Sequence, residues 1–219
     1  MLLLHGGGGP LTVQALGERI GAQVPVHPGF AGTPQTISTI GDLAEHYLSA
    51  HDKPFVIGSS IGGWIAAEMA IRGELEGLVI IDGVGLQVDG HPVVDFFSLT
   101  PQEIAERSFY GPMPPIKPDS ANLQALKTYA PAMEDPTLAE RLQAVDVPAL
   151  VVWGEADRIA DPDYGRAYAA AIPGADFTLI ERAGHLPQLE RPDALLDALQ
   201  SWERARLGAT RGGSLGIFG

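Results

Sequence analysis

The stretch FVIGSSIGGWIAAEM, Phe55 to Met69, changes from an apolar run to an amphipathic helical pattern at a single serine. Ser60 stands at that junction, with Gly58 and Gly62 two residues to either side. A strand that turns directly into a helix forces its corner residue into a strained backbone conformation, and flanking glycines remove the Cβ atoms that would collide. Such a corner pushes one hydroxyl outward. The register is fixed, because centring the pattern on Ser59 would need glycine at 57 and 61, and both are isoleucine. A second copy, Gly212, Ser214 and Gly216, has no apolar strand before it and only three residues after it, so it lacks the strand, turn and helix that give the pattern its meaning.

A chain of 219 residues is one domain with a sizeable core and room for a small inserted subdomain. The formal net charge of −13 argues against nucleic acid or an anionic membrane as a partner, since both require a basic face. It leaves small neutral or cationic substrates open. With no cysteine there is no disulfide, thiolate metal site or cysteine nucleophile, and a reducing cytoplasm is the expected compartment. The apolar run Met1 to Leu4 is too short for a signal peptide, and no stretch approaches the ~18 apolar residues of a membrane span.

Strand and helix patterns alternate along the chain. Met1 to His5 reads as a buried strand that breaks into the loop Gly6 to Gly9 and Pro10, after which Thr12 caps a helix reaching Ala22. A short strand is expected near Gln23 to Val26, then a helix opened by Ser38 or Thr36 and ending near Ala50. Phe55 to Ile57 is the strand before the corner; Gly73 stops the following helix; Leu78 to Ile81 is the next strand. From about residue 87 to Val145 the alternation gives way to helical pieces broken by prolines. Thr100, Pro101 and Glu103 form a capping box there, and Asp135 with Pro136 is expected to repeat the device. Alternation resumes with a strand at Ala149 to Trp153, a helix at Asp163 to Ile172, a strand at Phe177 to Ile180 and a helix from Pro192 to Leu207. This order predicts an α/β fold, a doubly wound and mostly parallel sheet with helices on both faces. Residues 1–86 and 146–208 would form its core, 87–145 a helical insertion, and 209–219 a disordered tail.

A serine hydroxyl is a weak nucleophile until a base removes its proton, and the base needs an acid to orient it. Of the six histidines, His185 follows the last strand in a turn made by Gly184 and Pro187, at the sheet's carboxyl edge. His46 and His51 belong to a helix away from that edge, and His91 lies in the insertion. The acid should also come from a strand end. Asp157, in VVWGEADRIAD, fits best; Asp82, directly after its strand, is the alternative, with Asp161 and Glu155 weaker. The glycine loop lacks the lysine and hydroxyl of a phosphate loop, and His5 at its head suits a hydrogen-bonded brace. Phe96, Phe97, Phe109, Tyr110 and Tyr129 in the insertion read first as packing residues, and as a group they suggest an apolar pocket.

The motifs HGGGGP, GSSIGG, WGEADRI and AGHLPQLERP, in that order, resemble the oxyanion loop, nucleophile elbow, acid loop and histidine loop of the α/β-hydrolases. That resemblance implies Ser60, Asp157 and His185 as the catalytic triad, Ile61 and Gly7 (alternatively Gly8) as backbone oxyanion donors, the insertion as a cap, and neither cofactor nor metal. It also implies a strand order of 2-1-3-4-5-6, with the glycine loop and the elbow flanking the point where the winding reverses. The family's sheet usually begins with two further strands; this chain starts at the strand before the glycine loop, so a minimal fold or a truncated start is expected, the minimal fold being preferred. The implied activity is a serine hydrolase of small apolar esters or related acyl compounds. Rivals on the same fold are carbon–carbon bond hydrolysis, perhydrolysis or haloperoxidase-like activity, and lyase chemistry; a non-catalytic ligand-binding protein is the rival of another class.

Overall fold

The computed structural model describes residues 1–112, 119–209 and 218. Five strands, β1 (Leu2–Leu4), β2 (Phe55–Ser59), β3 (Gly77–Ile81), β6 (Ala149–Gly154) and β7 (Asp176–Ile180), form one sheet in the order β1-β2-β3-β6-β7. All neighbours are parallel, with Leu3 opposite Ile57, Ile57 opposite Val79, and Val79 opposite Leu150. Two-residue strands β4 (Gly85–Leu86) and β5 (Glu134–Asp135) pair separately, also in parallel.

The period-2 alternation of each strand divides the core. Leu2, Leu4, Val56, Leu78, Ile80 and Val151 face one apolar layer, while Leu3, Ile57, Val79, Ile81, Leu150 and Val152 face the other. The first layer is closed by α2 (Ile40–Ala50), α3 (Ile61–Arg72) and α7 (Pro162–Ala171), the second by α1 (Gln14–Ile20) and α9 (Pro192–Ala209). Helix α3 departs from the amphipathic pattern expected of it: every residue from Ile61 to Ala70 is buried, because helices and the sheet enclose it on all sides.

Four local expectations change. Thr12 does not cap a helix reaching Ala22: it ends a 3-10 turn (Pro10–Thr12) with its hydroxyl donating to Gly9 O at 2.7 Å, and α1 begins at Gln14 without a side-chain cap and ends at Ile20. Gln23 to Val26 makes one bridge, Gln23 to Leu2, on the outer side of β1; Pro25 has no N–H to extend a ladder. The cap of α2 is Thr39, whose side chain accepts from Asp42 N at 3.0 Å, in place of Ser38 or Thr36. Asp135 does not cap a helix that starts at Pro136: its carboxylate accepts from Thr137, and Thr137 precedes α6 (Leu138–Leu142). The box at Thr100 forms as its spacing demands and opens α4 (Pro101–Ser108). A second helix of the inserted stretch, α5 (Ser120–Tyr129), is capped by Asp119. Four-residue α8 (Pro187–Glu190) had no separate signature in the sequence.

Helix α6 is anchored to the core by Arg141, which forks onto Glu68 of α3 at 2.8 and 2.6 Å. Of the tail expected to be disordered, Ala209 ends α9 and Phe218 is buried edge-to-face against Phe55; the rest lies outside the described residues. Among the described residues, no helix is long and apolar enough to cross a membrane.

Candidate active site

The corner between β2 and α3 is as tight as the glycine spacing demands. Ser60 sits at φ 57°, ψ −121°, a conformation that costs on the order of 1–3 kcal/mol for a residue with a side chain. A Cβ on Gly58 would stand 2.1 Å from the carbonyl oxygen of Gly62, and one on Gly62 would stand 2.2 Å from that of Leu4. Helix α3 can therefore press against the ends of β1 and β2 only if both positions are glycine. The strain is held by backbone bonds: Ser60 N donates to Ile81 O at 2.9 Å, and Ser60 O accepts from Gly63 N at 2.9 Å.

The loop after β7 brings His185 to the corner. Its Nε2 lies 2.9 Å from Ser60 Oγ and its Nδ1 lies 2.7 Å from Asp157 Oδ2. Asp157 comes from the loop after β6, and its Oδ1 accepts from Ile159 N at 2.7 Å and Ala160 N at 3.3 Å. All three side chains are buried. The backbone of His185 is fixed as well, its N–H donating to Ser108 O at the end of α4 at 2.8 Å. Glycine at 184 permits this, because a Cβ there would lie 2.4 Å from the same oxygen. The Glu190 carboxylate accepts from Gly184 N at 2.7 Å and from Tyr110 N and Gly111 N at 2.9 Å each, joining the histidine loop to the inserted segment.

Asp82, the alternative acid, also lies here. It does not contact His185 as Asp157 does: its Oδ1 accepts from Gly154 N at 2.8 Å. Asp82 is fully buried at φ 45°, and its Oδ2 is one of three buried side-chain atoms without a partner among the described residues. Burial and the charge of Asp157 push its carboxyl well above the ordinary carboxylate range. Donor atoms of Asp82, Asp157 and His185 all lie within 4.8 Å of one another. Two of the three, Asp157 and His185, are already bonded to each other.

The glycine loop packs against Ser60. A Cβ on Gly6 would be 2.9 Å from Ser60 Cβ, and on Gly7 it would be 2.9 Å from Leu126 of α5. Gly6, Gly7 and Gly8 all line the cavity that opens over Ser60, so Gly7 and Gly8 both remain in reach of it. Beneath the loop, His5 Nδ1 donates to Gly6 O at 2.8 Å and its Nε2 accepts from His27 N at 3.2 Å. His27 in turn donates from Nε2 to His5 O at 3.0 Å and accepts from the Tyr47 hydroxyl at 2.6 Å. This pattern assigns one proton to each ring. Burial lowers His5 to about 4 and holds His27 well below the ordinary histidine range. His27 and Tyr47 brace the loop without any sequence signal, and Asn122 Oδ1 accepts from Ala31 N at 3.0 Å, equally unannounced. Their partners lie 20 to 91 residues away in the chain.

The cavity over Ser60 measures about 900 Å³ and is roofed by α4 and α5. Its walls are largely apolar, with Phe96, Ile104, Phe109, Leu123, Leu126 and Met133 among them. The aromatic residues of the insertion divide: Phe96, Phe109 and Tyr110 line the cavity, while Phe97 packs on the core and Tyr129 stacks on Phe30 and donates to Pro28 O at 2.8 Å. Arg158 also lines it, with its guanidinium engaged by the carbonyl oxygens of Glu106 and Phe109.

Known proteins of similar sequence and structure are hydrolases. Epoxide hydrolase EphH of Mycobacterium tuberculosis is 24% identical over 185 residues, 67% of this chain and 84% of that protein. A 2-hydroxy-6-oxononadienedioate/2-hydroxy-6-oxononatrienedioate hydrolase of Paraburkholderia phymatum is 36% identical over 58 residues, 26% of this chain and 20% of that protein. Among solved structures, a thermophilic esterase from Thermogutta terrifontis superposes with a TM-score of 0.69 at 24% identity, covering 93% of this chain and 89% of its own, a likeness of fold. The model described as the alpha/beta hydrolase family matches residues 1–198, and the chain belongs to that family.

Proposed function

We propose that the protein is a serine hydrolase of small, predominantly apolar carboxylic esters or related acyl compounds. The observation that carries this reading is the continuous line from Ser60 Oγ through His185, 2.9 Å at Nε2 and 2.7 Å at Nδ1, to Asp157. Ser60 Oγ attacks the acyl carbon as its proton passes to His185 Nε2, and Asp157 holds the imidazole in the tautomer that presents a lone pair to the serine. The amides of Ile61 and Gly7, with Gly8 as the alternative, receive the oxyanion, each worth about 3 kcal/mol of transition-state stabilisation. His185 then protonates the leaving alcohol, and a water molecule repeats the sequence on the acyl-enzyme. The segment 87–145 acts as the cap, giving the acyl chain an apolar wall.

A serine nucleophile also bears on the relatives' differing names. Opening an epoxide on Ser60 would form an ether, which has no carbonyl for water to attack, so this site suits acyl transfer. Carbon–carbon bond hydrolysis remains the second reading, favoured by the dienedioate hydrolase likeness. A dienedioate carries two carboxylates, however, and the Arg158 guanidinium in the cavity wall is already engaged by backbone carbonyls. The test is labelling by a fluorophosphonate probe, with turnover of an ester, thioester and diketone panel. Labelling and ester turnover that vanish in Ser60→Ala support the reading; no labelling, or labelling unchanged in that variant, rejects it.

A further inference from the structure

Asp82 takes no part in the steps above, yet its side chain is buried at the back of the relay with one oxygen unpartnered. Its other oxygen is fixed by Gly154 N at 2.8 Å, so the free oxygen cannot turn away to find water. The groups whose charge acts on it are Asp157, and more weakly Glu190 of α8, with His185 completing the cluster within 4.8 Å. Two ionised carboxylates do not persist side by side in a buried site; one keeps its proton and presents it to the other. Asp157 is the one bonded to His185 and to two amides, which favour its charged form, so the proton belongs to Asp82.

We propose that Asp82 is a positioning residue for the base relay: its carboxyl group, through Oδ2–H, gives the Asp157 carboxylate a further hydrogen bond that fixes its orientation and tempers its pull on His185. A neutral acid in this place is closely mimicked by an amide. Asparagine has an acceptor for Gly154 N and a donor for Asp157, whereas alanine supplies neither.

The rate readout rests on the hydrolase reading; the spectroscopic readout does not. Wild type, Asp82→Ala and Asp82→Asn are compared after thermal melts establish folding. Asp82→Ala should lower kcat roughly tenfold with KM little changed. It should also move the acid limb of the pH profile to higher pH, because an undiluted Asp157 charge keeps His185 protonated further up. Its downfield proton resonance from His185 Nδ1–H should move further downfield as the bond to Asp157 strengthens. Asp82→Asn should restore most of the rate and return the resonance toward the wild-type position. A folded Asp82→Ala with wild-type profile and resonance overturns the proposal. So does an Asp82→Asn as impaired as Asp157→Asn, an outcome that also decides the matter should Asp82→Ala fail to fold. If wild type turns over no ester, the hydrolase reading fails and the resonance still tests Asp82.

Discussion

The imidazole rings of His5 and His27 lie 3.8 Å apart, centroid to centroid, each holding one proton; a second proton on His5 would break its bond from His27 N, and one on His27 would force the Tyr47 hydroxyl to reverse. An unfolded His5 takes up its second proton near pH 6.5, but in the fold only near 4. Between those values the unfolded chain binds more protons, so acid favours unfolding. The contribution is complete above about pH 6.5 and declines by up to roughly 3 kcal/mol as the pH falls to about 4, with His27 acting in the same direction. Urea denaturation at about pH 7.5 and about pH 4.5 measures it. A stability unchanged between the two would contradict the neutral pair.

Asp157→Asn is expected to keep the fold and to lower kcat for short p-nitrophenyl esters on the order of 10³ to 10⁴-fold, because an amide favours the wrong tautomer of His185. Asp82→Asn should lose far less. Steady-state rates of the two variants decide between them, and the reverse ranking would make Asp82 the acid.

Gly184→Ala places a Cβ where the Ser108 carbonyl oxygen stands 2.4 Å away, and backbone cannot yield as a side chain can. The histidine loop must separate from α4, carrying His185 from Ser60. A displacement near 1 Å should lower kcat about 100-fold, with a change in melting temperature too small to explain it. Wild-type kcat in this variant would mean that the loop adjusts elsewhere.

Glu190→Gln removes a charge-assisted acceptor shared by the amides of Gly184, Tyr110 and Gly111. Hydrogen exchange at these three amides should accelerate together, by the equivalent of roughly 1.5–3 kcal/mol. Acceleration confined to one of them would show that the carboxylate does not couple the two loops.

Leu123→Trp adds bulk to the cavity wall on α5. It should raise KM for a long-chain ester about tenfold or more while leaving an acetate ester near wild type. A comparable loss on both would place Leu123 outside the acyl path. Chain-length profiles with p-nitrophenyl esters give the answer.

The sequence revealed most where the physics is local. Gly58 and Gly62 mark the corner because a Cβ at either would collide with carbonyl oxygens of adjoining backbone. His185 and Asp157 were found because each follows a strand by a short turn, so the parallel sheet delivers both to one edge. What escaped depends on distant pairings. Nothing near His27 announces that its ring will lie between Tyr47 and His5, and nothing near Glu190 announces that it will gather amides from 110 and 111. The missing ladder at Gln23 to Val26 has a local cause in Pro25, which has no N–H to donate. At Asp82, the strand end marks a carboxyl at the sheet's edge, while only the fold shows that His185 bonds to Asp157 and that Asp82 bonds to Gly154 N instead.

The crowding at the corner is unevenly distributed. Gly58 and Gly62 admit no further atom, but the Ser60 side chain between them points into an open cavity. Scaffold and reagent are therefore separable at this point. Cysteine or aspartate at position 60 would meet the same backbone, so the group that the corner presents to the cavity can change without altering how the corner is held.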